Sequence, residues 1–130
     1  MNDPIGDFII RIKNASQVGK ESISVPFSKM KLSIAELLSS KGYVGTVAKK
    51  NKGNAKLLSV ELLYNGDGSP KVSDVRRISK PSRRLYESAK NISRFRRGFG
   101  MSVFSTPRGV MADVDAKKEN VGGEILFNIW

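Results

Sequence analysis

The chain has 130 residues, 39% of them hydrophobic, and its 23 Lys and Arg against 12 Asp and Glu give a formal charge of +11. A surplus of that size attracts polyanions, of which nucleic acid is the commonest and an anionic membrane surface the alternative. There is no cysteine and no histidine, which excludes disulfides, cysteine-based zinc sites and thiol nucleophiles and removes the usual general base and nitrogen metal ligand.

Asp3-Pro4 reads as a helix start, with Asp as cap and Pro at the first helical position. Ile5, Phe8, Ile9 and Ile12 follow at helical spacing, with Arg11 and Lys13 off that face. Val18 to Ser24 offers a short strand around Ile23 and Val25, stopped by Pro26. Ser28 suits the cap of a second helix, with Met30, Ile34, Leu37, Leu38 and the stem of Lys41 on its buried face and Gly42 just beyond it. Tyr43 to Lys49 is a predicted strand, residues 51–54 a turn, and Lys56 to Tyr64 a half-buried strand with Leu58, Val60, Leu62 and Tyr64 alternating. The run Asn65-Gly66-Asp67-Gly68-Ser69-Pro70 is the strongest loop signal. It places a boundary between subdomains at 1–68 and 69–130.

Beyond that loop, Lys71 to Ile78 is a predicted strand broken at Lys80-Pro81-Ser82, and Arg84 to Tyr86 a short one. Asn91 to Arg97 has the pattern of a short, very basic helix ending at Gly98. Met101 to Phe104 is an apolar strand and Thr106-Pro107-Arg108-Gly109 a turn. Asp113 to Asn120 is a helix candidate with acids early and Lys117 and Lys118 late, as the helix dipole favours, and Gly122-Gly123 would end it. Glu124 to Trp130 closes the chain as a strand with Ile125, Phe127 and Ile129 on one face. No stretch approaches the roughly 20 apolar residues that span a bilayer. The Met1-Asn2-Asp3-Pro4 start lacks the features of a signal peptide. A soluble cytoplasmic protein is expected, with no membrane partner.

The charge is unevenly spread. Residues 1–70 hold 10 basic and 6 acidic residues, residues 71–110 hold 11 and 2, and residues 111–130 hold 2 and 4. The forty residues in the middle therefore carry a net +9. Arginine dominates there, and its planar fork pairs with phosphate and stacks on bases. A membrane-surface helix needs large apolar anchors, and residues 91–97 supply only Ile92 and Phe95. A solvated basic face with no fixed partner is the plain alternative to nucleic acid.

Ser105-Thr106-Pro107-Arg108-Gly109 sets two hydroxyls beside a cation at a strand exit. Hydroxyls donate and accept, so they suit base edges and ribose 2′-hydroxyls; a plain turn accounts for the same residues. Glu124 can accept from a base amino group, although the Gly122-Gly123 before it also fits a helix cap. Tyr86, among Arg83, Arg84 and Lys90, suits either stacking on a base or a place in the core. Asp113, Asp115 and Glu119 do not have calcium-loop spacing and fit helix capping better. No phosphate-binding glycine loop or catalytic constellation is present, so no cofactor, metal, small-molecule substrate or enzymatic activity is expected.

In order and spacing, these residues closely resemble bacterial small-subunit ribosomal protein eight. The likeness runs through Asp3-Pro4-Ile5-Gly6-Asp7, Arg11-Ile12-Lys13-Asn14, Pro26-Phe27-Ser28-Lys29-Met30-Lys31, Arg77-Ile78-Ser79-Lys80-Pro81, Arg84-Leu85-Tyr86, Ser105-Thr106-Pro107-Arg108-Gly109-Val110-Met111 and Gly122-Gly123-Glu124-Ile125. The resemblance implies an α+β protein of two small subdomains packed on each other. The first would be helix-strand-helix-strand-strand and the second strand-rich with a short helix. It implies direct binding to a helical region in the central domain of 16S rRNA, support of its assembly, neighbouring small-subunit proteins, and repression of its own operon mRNA. By position, it implies RNA contacts at Ser105, Thr106, Pro107, Arg108, Tyr86, Glu124, Arg84 and Arg77. Lys29, Lys31 and the Arg11 region would meet a second stretch of RNA. The family often has a third hydroxyl where this chain has Pro107, which offers neither a side-chain donor nor an N–H. Two other classes stay open beside this one: a protein-interaction module of the ribosome and an RNA-processing enzyme.

Overall fold

The computed structural model describes residues 3–130, with only the backbone described at Arg97. Contacts divide the chain into an N-terminal unit of residues 7–73 and a C-terminal unit in which residues 3–6 join residues 74–130. Together they make an α+β fold with a helix-strand-helix-strand-strand first half and a strand-rich second half.

The N-terminal unit takes most of α1 (Pro4–Gln17), then β1 (Ser22–Pro26), α2 (Lys29–Ser40), β2 (Val44–Lys52) and β3 (Ala55–Leu62). Phe8, Ile9, Ile12 and Ala15 form the buried stripe of α1. The strand expected from Val18 begins only at Ser22. The N–H groups of Val18, Gly19 and Lys20 instead donate back to Asn14, Ser16 and Ala15, closing the helix. The Ser28 hydroxyl accepts from the Lys31 N–H at 3.1 Å and caps α2. The buried face of α2 is Ile34, Ala35 and Leu38, whereas Met30, expected in the core, is exposed. The sheet has the order β1-β3-β2, fully antiparallel. Ile23, Val25, Leu58, Val60 and Leu62 alternate inward, and α2 packs on β2 and β3.

The C-terminal unit contains β4 (Val75–Arg77), β5 (Tyr86–Glu87), β6 (Met101–Thr106), β7 (Gly109–Ala112), α3 (Asp113–Lys118) and β8 (Gly123–Ile129). The order is β4-β8-β6-β7, with β5 also on β8, and every pairing is antiparallel. Ile92, Phe104 and Ala116 form a buried cluster, with Met111, Val121 and Ile125 packed against it.

Four expectations are corrected in this unit. The strand of residues 71–78 shrinks to β4, although the N–H groups of Ile78 and Ser79 still reach β8. The basic helix of residues 91–97 is two separate 3-10 turns, Ala89–Asn91 and Phe95–Gly98. Ile92 and Arg94 are extended between them, because Ile92 is drawn into the core and the Phe95 N–H is taken by Asp113. β7 was not expected; it folds back on β6 around Pro107-Arg108. Finally, α3 turns off at Asn120, which adopts φ +57°, and not at Gly122-Gly123.

The two glycines have a different task. A Cβ on Gly122 would stand 2.5 Å from the carbonyl oxygen of Glu87, and one on Gly123 would overlap the carbonyl of Ser105. They let β5 and β6 close on the start of β8. β8 also carries a bulge: Val103 pairs with Phe127 but Phe104 with Ile125, leaving Leu126 between. Strict alternation of Ile125, Phe127 and Ile129 is broken there, and Leu126 is buried as well.

Candidate nucleic-acid interface

The register of the C-terminal sheet brings three of the expected residues into one line. Glu124 of β8 pairs with Tyr86 of β5 on one side and with Ser105 of β6 on the other. Directly opposed residues in antiparallel strands share a face. Strands lie about 4.8 Å apart, so the row Tyr86–Glu124–Ser105 spans about 10 Å. Tyr86 is 67% exposed, which decides between stacking and core in favour of an available ring. The Glu124 side chain is largely sheltered and lies 3.4 Å from an Arg84 guanidinium nitrogen. That places a sheltered acceptor at the centre of the row and an exposed cation at its rim.

Ser79 positions this edge, although sequence reasoning passed over it. It is fully buried; its hydroxyl donates to the Leu85 carbonyl at 3.1 Å and accepts from the Leu85 N–H at 2.8 Å. Together with the paired backbone groups of Lys80 and Arg83, it closes the turn that delivers Arg84 and Tyr86 to β8. A buried serine reads as an ordinary core residue in sequence, and only the pairing reveals the clamp.

The hydroxyls of the 105–109 turn are not equivalent. Thr106 Oγ1 donates to the Gly109 carbonyl at 2.7 Å and accepts from the Arg108 N–H at 3.1 Å. It spends its only hydrogen on the turn and keeps one acceptor site for a ligand. Ser105 has no such commitment among the described residues and stands next to Glu124. Pro107 and Arg108 form the exposed tip, where Arg108 makes a surface pair with Glu119 at 3.3 Å. Pairs of this kind contribute little and yield readily to a stronger anion.

Arg77 is turned inward. Its guanidinium is bidentate to Asp3, at 3.0 Å from Nε to Oδ2, and also donates to the Leu126 carbonyl at the bulge. Burial works to raise the Asp3 pKa and is the largest single influence. The hydrogen bonds from Arg77 and the Gly6 N–H, with the charges of Arg77 and Lys80, outweigh it and leave the pKa below its ordinary 3.8. A carboxylate more acidic in the folded than in the unfolded chain stabilises fully above the unfolded value and stops doing so as pH falls through the folded one. Asp3→Asn is therefore expected to cost about 1 kcal/mol near neutral pH, with the difference from the parent shrinking below pH 3.8. Urea unfolding across pH measures it; a pH-independent difference would remove the ion pair as its cause.

In the N-terminal unit, Arg11 donates to the Ser24 carbonyl at 3.5 Å and Lys31 Nζ to the Pro26 carbonyl at 3.1 Å, so both cations lie along the edge strand β1. Lys29 is exposed at the start of α2. The register adds residues not singled out from sequence. Pro26 faces Leu57, which faces Lys50, and Lys49 Nζ sits 4.8 Å above the Phe27 ring. The exposed Lys49, Lys50, Lys52 and Lys56 of the β2–β3 hairpin thus share one end of the sheet with Lys29 and Lys31, and residues 22–35 and 41–60 contain no carboxylate. A turn-rich lysine run reads as a solvated hairpin until the sheet pairing places it.

No group of acidic side chains able to hold a metal occurs among the described residues, and no described helix is long and apolar enough to cross a membrane.

Residues 3–130 match the family described as Ribosomal protein S8. The small ribosomal subunit protein uS8 of Rhodopseudomonas palustris (strain BisB5) is 45% identical over 130 residues, covering 99% of this chain and 98% of that protein. The proteins of the same description from Afipia carboxidovorans and Nitrobacter hamburgensis are 45% and 44% identical, with the same coverage.

Proposed function

Because the chain belongs to the ribosomal protein S8 family, we propose that it is a structural, non-enzymatic component of the cytoplasmic small ribosomal subunit that binds the central domain of 16S rRNA directly. The observation that carries the binding reading is the cross-strand row Tyr86–Glu124–Ser105 beside the Thr106-Pro107-Arg108 turn. A donor-acceptor hydroxyl, a sheltered acceptor and an exposed ring lie side by side on a surface rimmed by Arg84 and Arg108. Regular duplex RNA hides its major groove and shows 2′-hydroxyls in a shallow minor groove, while bases splayed from an irregular helix offer edges and faces. The row suits the second kind of target, and the arginines supply the phosphate attraction.

Labour is divided between the units in this reading. The C-terminal unit selects the RNA, and the lysines around α2 and the β2–β3 hairpin hold a second stretch by its phosphates. Arg77 acts indirectly, by fixing the β8 bulge. Binding a similar structure in its own operon mRNA, the same row would repress translation. Contact with a neighbouring small-subunit protein fits a different place, the open groove of α1 and β1 lined by the exposed Ile10 and Val18.

Gel shift of the purified chain with an isolated central-domain rRNA helix tests the reading, and absence of a specific complex would overturn it in favour of a module placed by its protein neighbours. Affinity is expected to fall by about 0.7–0.9 log units per log unit of salt for each phosphate neutralised; a flat response would remove the phosphate contacts. Ser105→Ala is expected to weaken the specific complex about tenfold while leaving random duplex and stability nearly unchanged. Thr106→Val should lower stability by about 1 kcal/mol as well, since it removes two hydrogen bonds of the turn. Equal loss on specific and random RNA for Ser105→Ala would sink its role as a reader.

A further inference from the structure

The far end of β6 carries a second aromatic and cationic cluster that the row does not use. The 3-10 turn Phe95–Gly98 folds against the last residue of the chain: the Phe95 and Trp130 rings lie 5.6 Å apart and tilted by 41°, and the Arg96 guanidinium sits 4.1 Å above the Trp130 ring and 5.4 Å from the Phe95 ring. Arg96 holds a left-handed backbone, φ +49°, to reach that position. The backbone is pressed in place: a Cβ on Gly100 would lie 2.8 Å from the Ile129 carbonyl oxygen and 3.0 Å from the Phe95 ring. The Phe95 N–H is tied to Asp113 at 2.7 Å. Phe99, the residue after the turn, is 85% exposed, the most exposed of the large apolar side chains among the described residues, and the Arg94 guanidinium lies beside Gly98. Residues 88–112 contain no carboxylate.

A guanidinium stacked on an indole presents its outer face to solvent. That face takes a flat, electron-rich partner, and the exposed ring of Phe99, three residues on and with its N–H donating to the Arg96 carbonyl, can extend the platform. A phosphate would take the edges of Arg96 and leave Phe99 uncovered, and so would a carboxylate of an acidic peptide. A base in a duplex has both faces covered by its neighbours, so only an unpaired base fits. We propose that Arg96, Trp130 and Phe99 form a second RNA site that receives one unpaired base, stacked on Arg96 and flanked by Phe99. β6 runs five residue steps from Met101 to Thr106, or about 17 Å between the two sites. One RNA with an irregular helix on the row and a looped-out base beyond it engages both ends of the strand. The inference rests on the reading of this protein as an RNA binder and adds a ligand, a single unpaired base, and a place.

Trp130 is the only tryptophan, so its fluorescence reports on this site alone. Titration of the full chain with single-stranded r(A)6 is expected to quench it saturably, while inorganic polyphosphate and hexaglutamate leave it unchanged. Phe99→Ala and Arg96→Lys are each expected to weaken r(A)6 binding about tenfold. Phe99 is too exposed for its removal to disturb the fold, and the lysine variant keeps the charge but loses the plane. Equal quenching by polyphosphate or by hexaglutamate, or unchanged affinity in both variants, would overturn the proposal. A chain that shifts the central-domain helix but shows no r(A)6 quenching loses this site only. One that does neither loses the RNA reading with it.

Discussion

Gly123→Ala is expected to destabilise the protein by about 2–3 kcal/mol and to weaken specific RNA binding by tenfold or more. The added Cβ would overlap the carbonyl of Ser105, a backbone group at the last pair of the β6–β8 register, so no side chain can swing away to relieve it. The strands must part at the point where Ser105 faces Glu124. Sites of this kind tolerate roughly 0.5 Å of misplacement, so the row fails even where the fold survives. Urea unfolding gives the stability, and gel shift at a temperature where the variant is folded gives the affinity. Gly66→Ala is the control. Nothing lies within 4 Å of its added Cβ and its backbone is not left-handed, so a change within about 0.5 kcal/mol is expected. If Gly123→Ala behaves like the control, the close approach of β6 and β8 is not what shapes the row.

Asp113→Ala is expected to be costlier, about 3–4 kcal/mol, or a fall in melting temperature on the order of 10 °C for a chain of this size. Asp113 is buried, and its carboxylate accepts three backbone N–H groups: Phe95 at 2.7 Å and Ser102 at 3.3 Å on Oδ2, and Val114 at 2.8 Å on Oδ1. It joins the 3-10 turn, β6 and α3 at one atom pair. Alanine leaves those donors without an acceptor in a place water reaches poorly, and that desolvation penalty dominates the loss. Asn keeps one acceptor oxygen, so Asp113→Asn is expected to recover about half. Thermal melts of the two variants decide it, and parent-like stability in Asp113→Ala would show that the three bonds contribute nothing net. The sequence suggested helix capping for this residue, but the cap position is Ala112 and Asp113 makes no capping bond; it holds the next N–H, of Val114, and the two long-range N–H groups make it a tether.

Helices α1 and α2 and strand β3 are legible because their apolar residues repeat at 3.6 or 2 residues and their starts carry Asp3-Pro4 and Ser28. The weak elements of the second half are not. β4 and β5 are three and two residues long, too short for any periodicity. They exist because β8 offers them an edge. The stretch 91–97 has helical composition, yet the burial of Ile92 and the Asp113 tether break it into two turns. Tertiary contacts overrode propensity there, as they commonly do for segments of one or two turns.

The row seen across β5, β8 and β6 marks the same division. Composition and charge alone determined that this is a basic chain without histidine or cysteine chemistry, with a charge that favours polyanions, and the order of its motifs pointed to the ribosomal family and through it to the α+β fold. Those properties are local or additive, so they survive in a string of letters. Sequence also put hydroxyls at 105 and 106, an aromatic at 86 and an acid at 124. Only the tertiary structure decided that Tyr86, Glu124 and Ser105 are neighbours, that Thr106 is half committed to its own turn, that Arg77 faces inward, and that Arg96 lies on Trp130. Each of these depends on strand register or on contact between residues far apart in the chain. Register is set by the summed packing of a whole sheet, down to the two glycines that let its strands close, and no single segment of the sequence contains it.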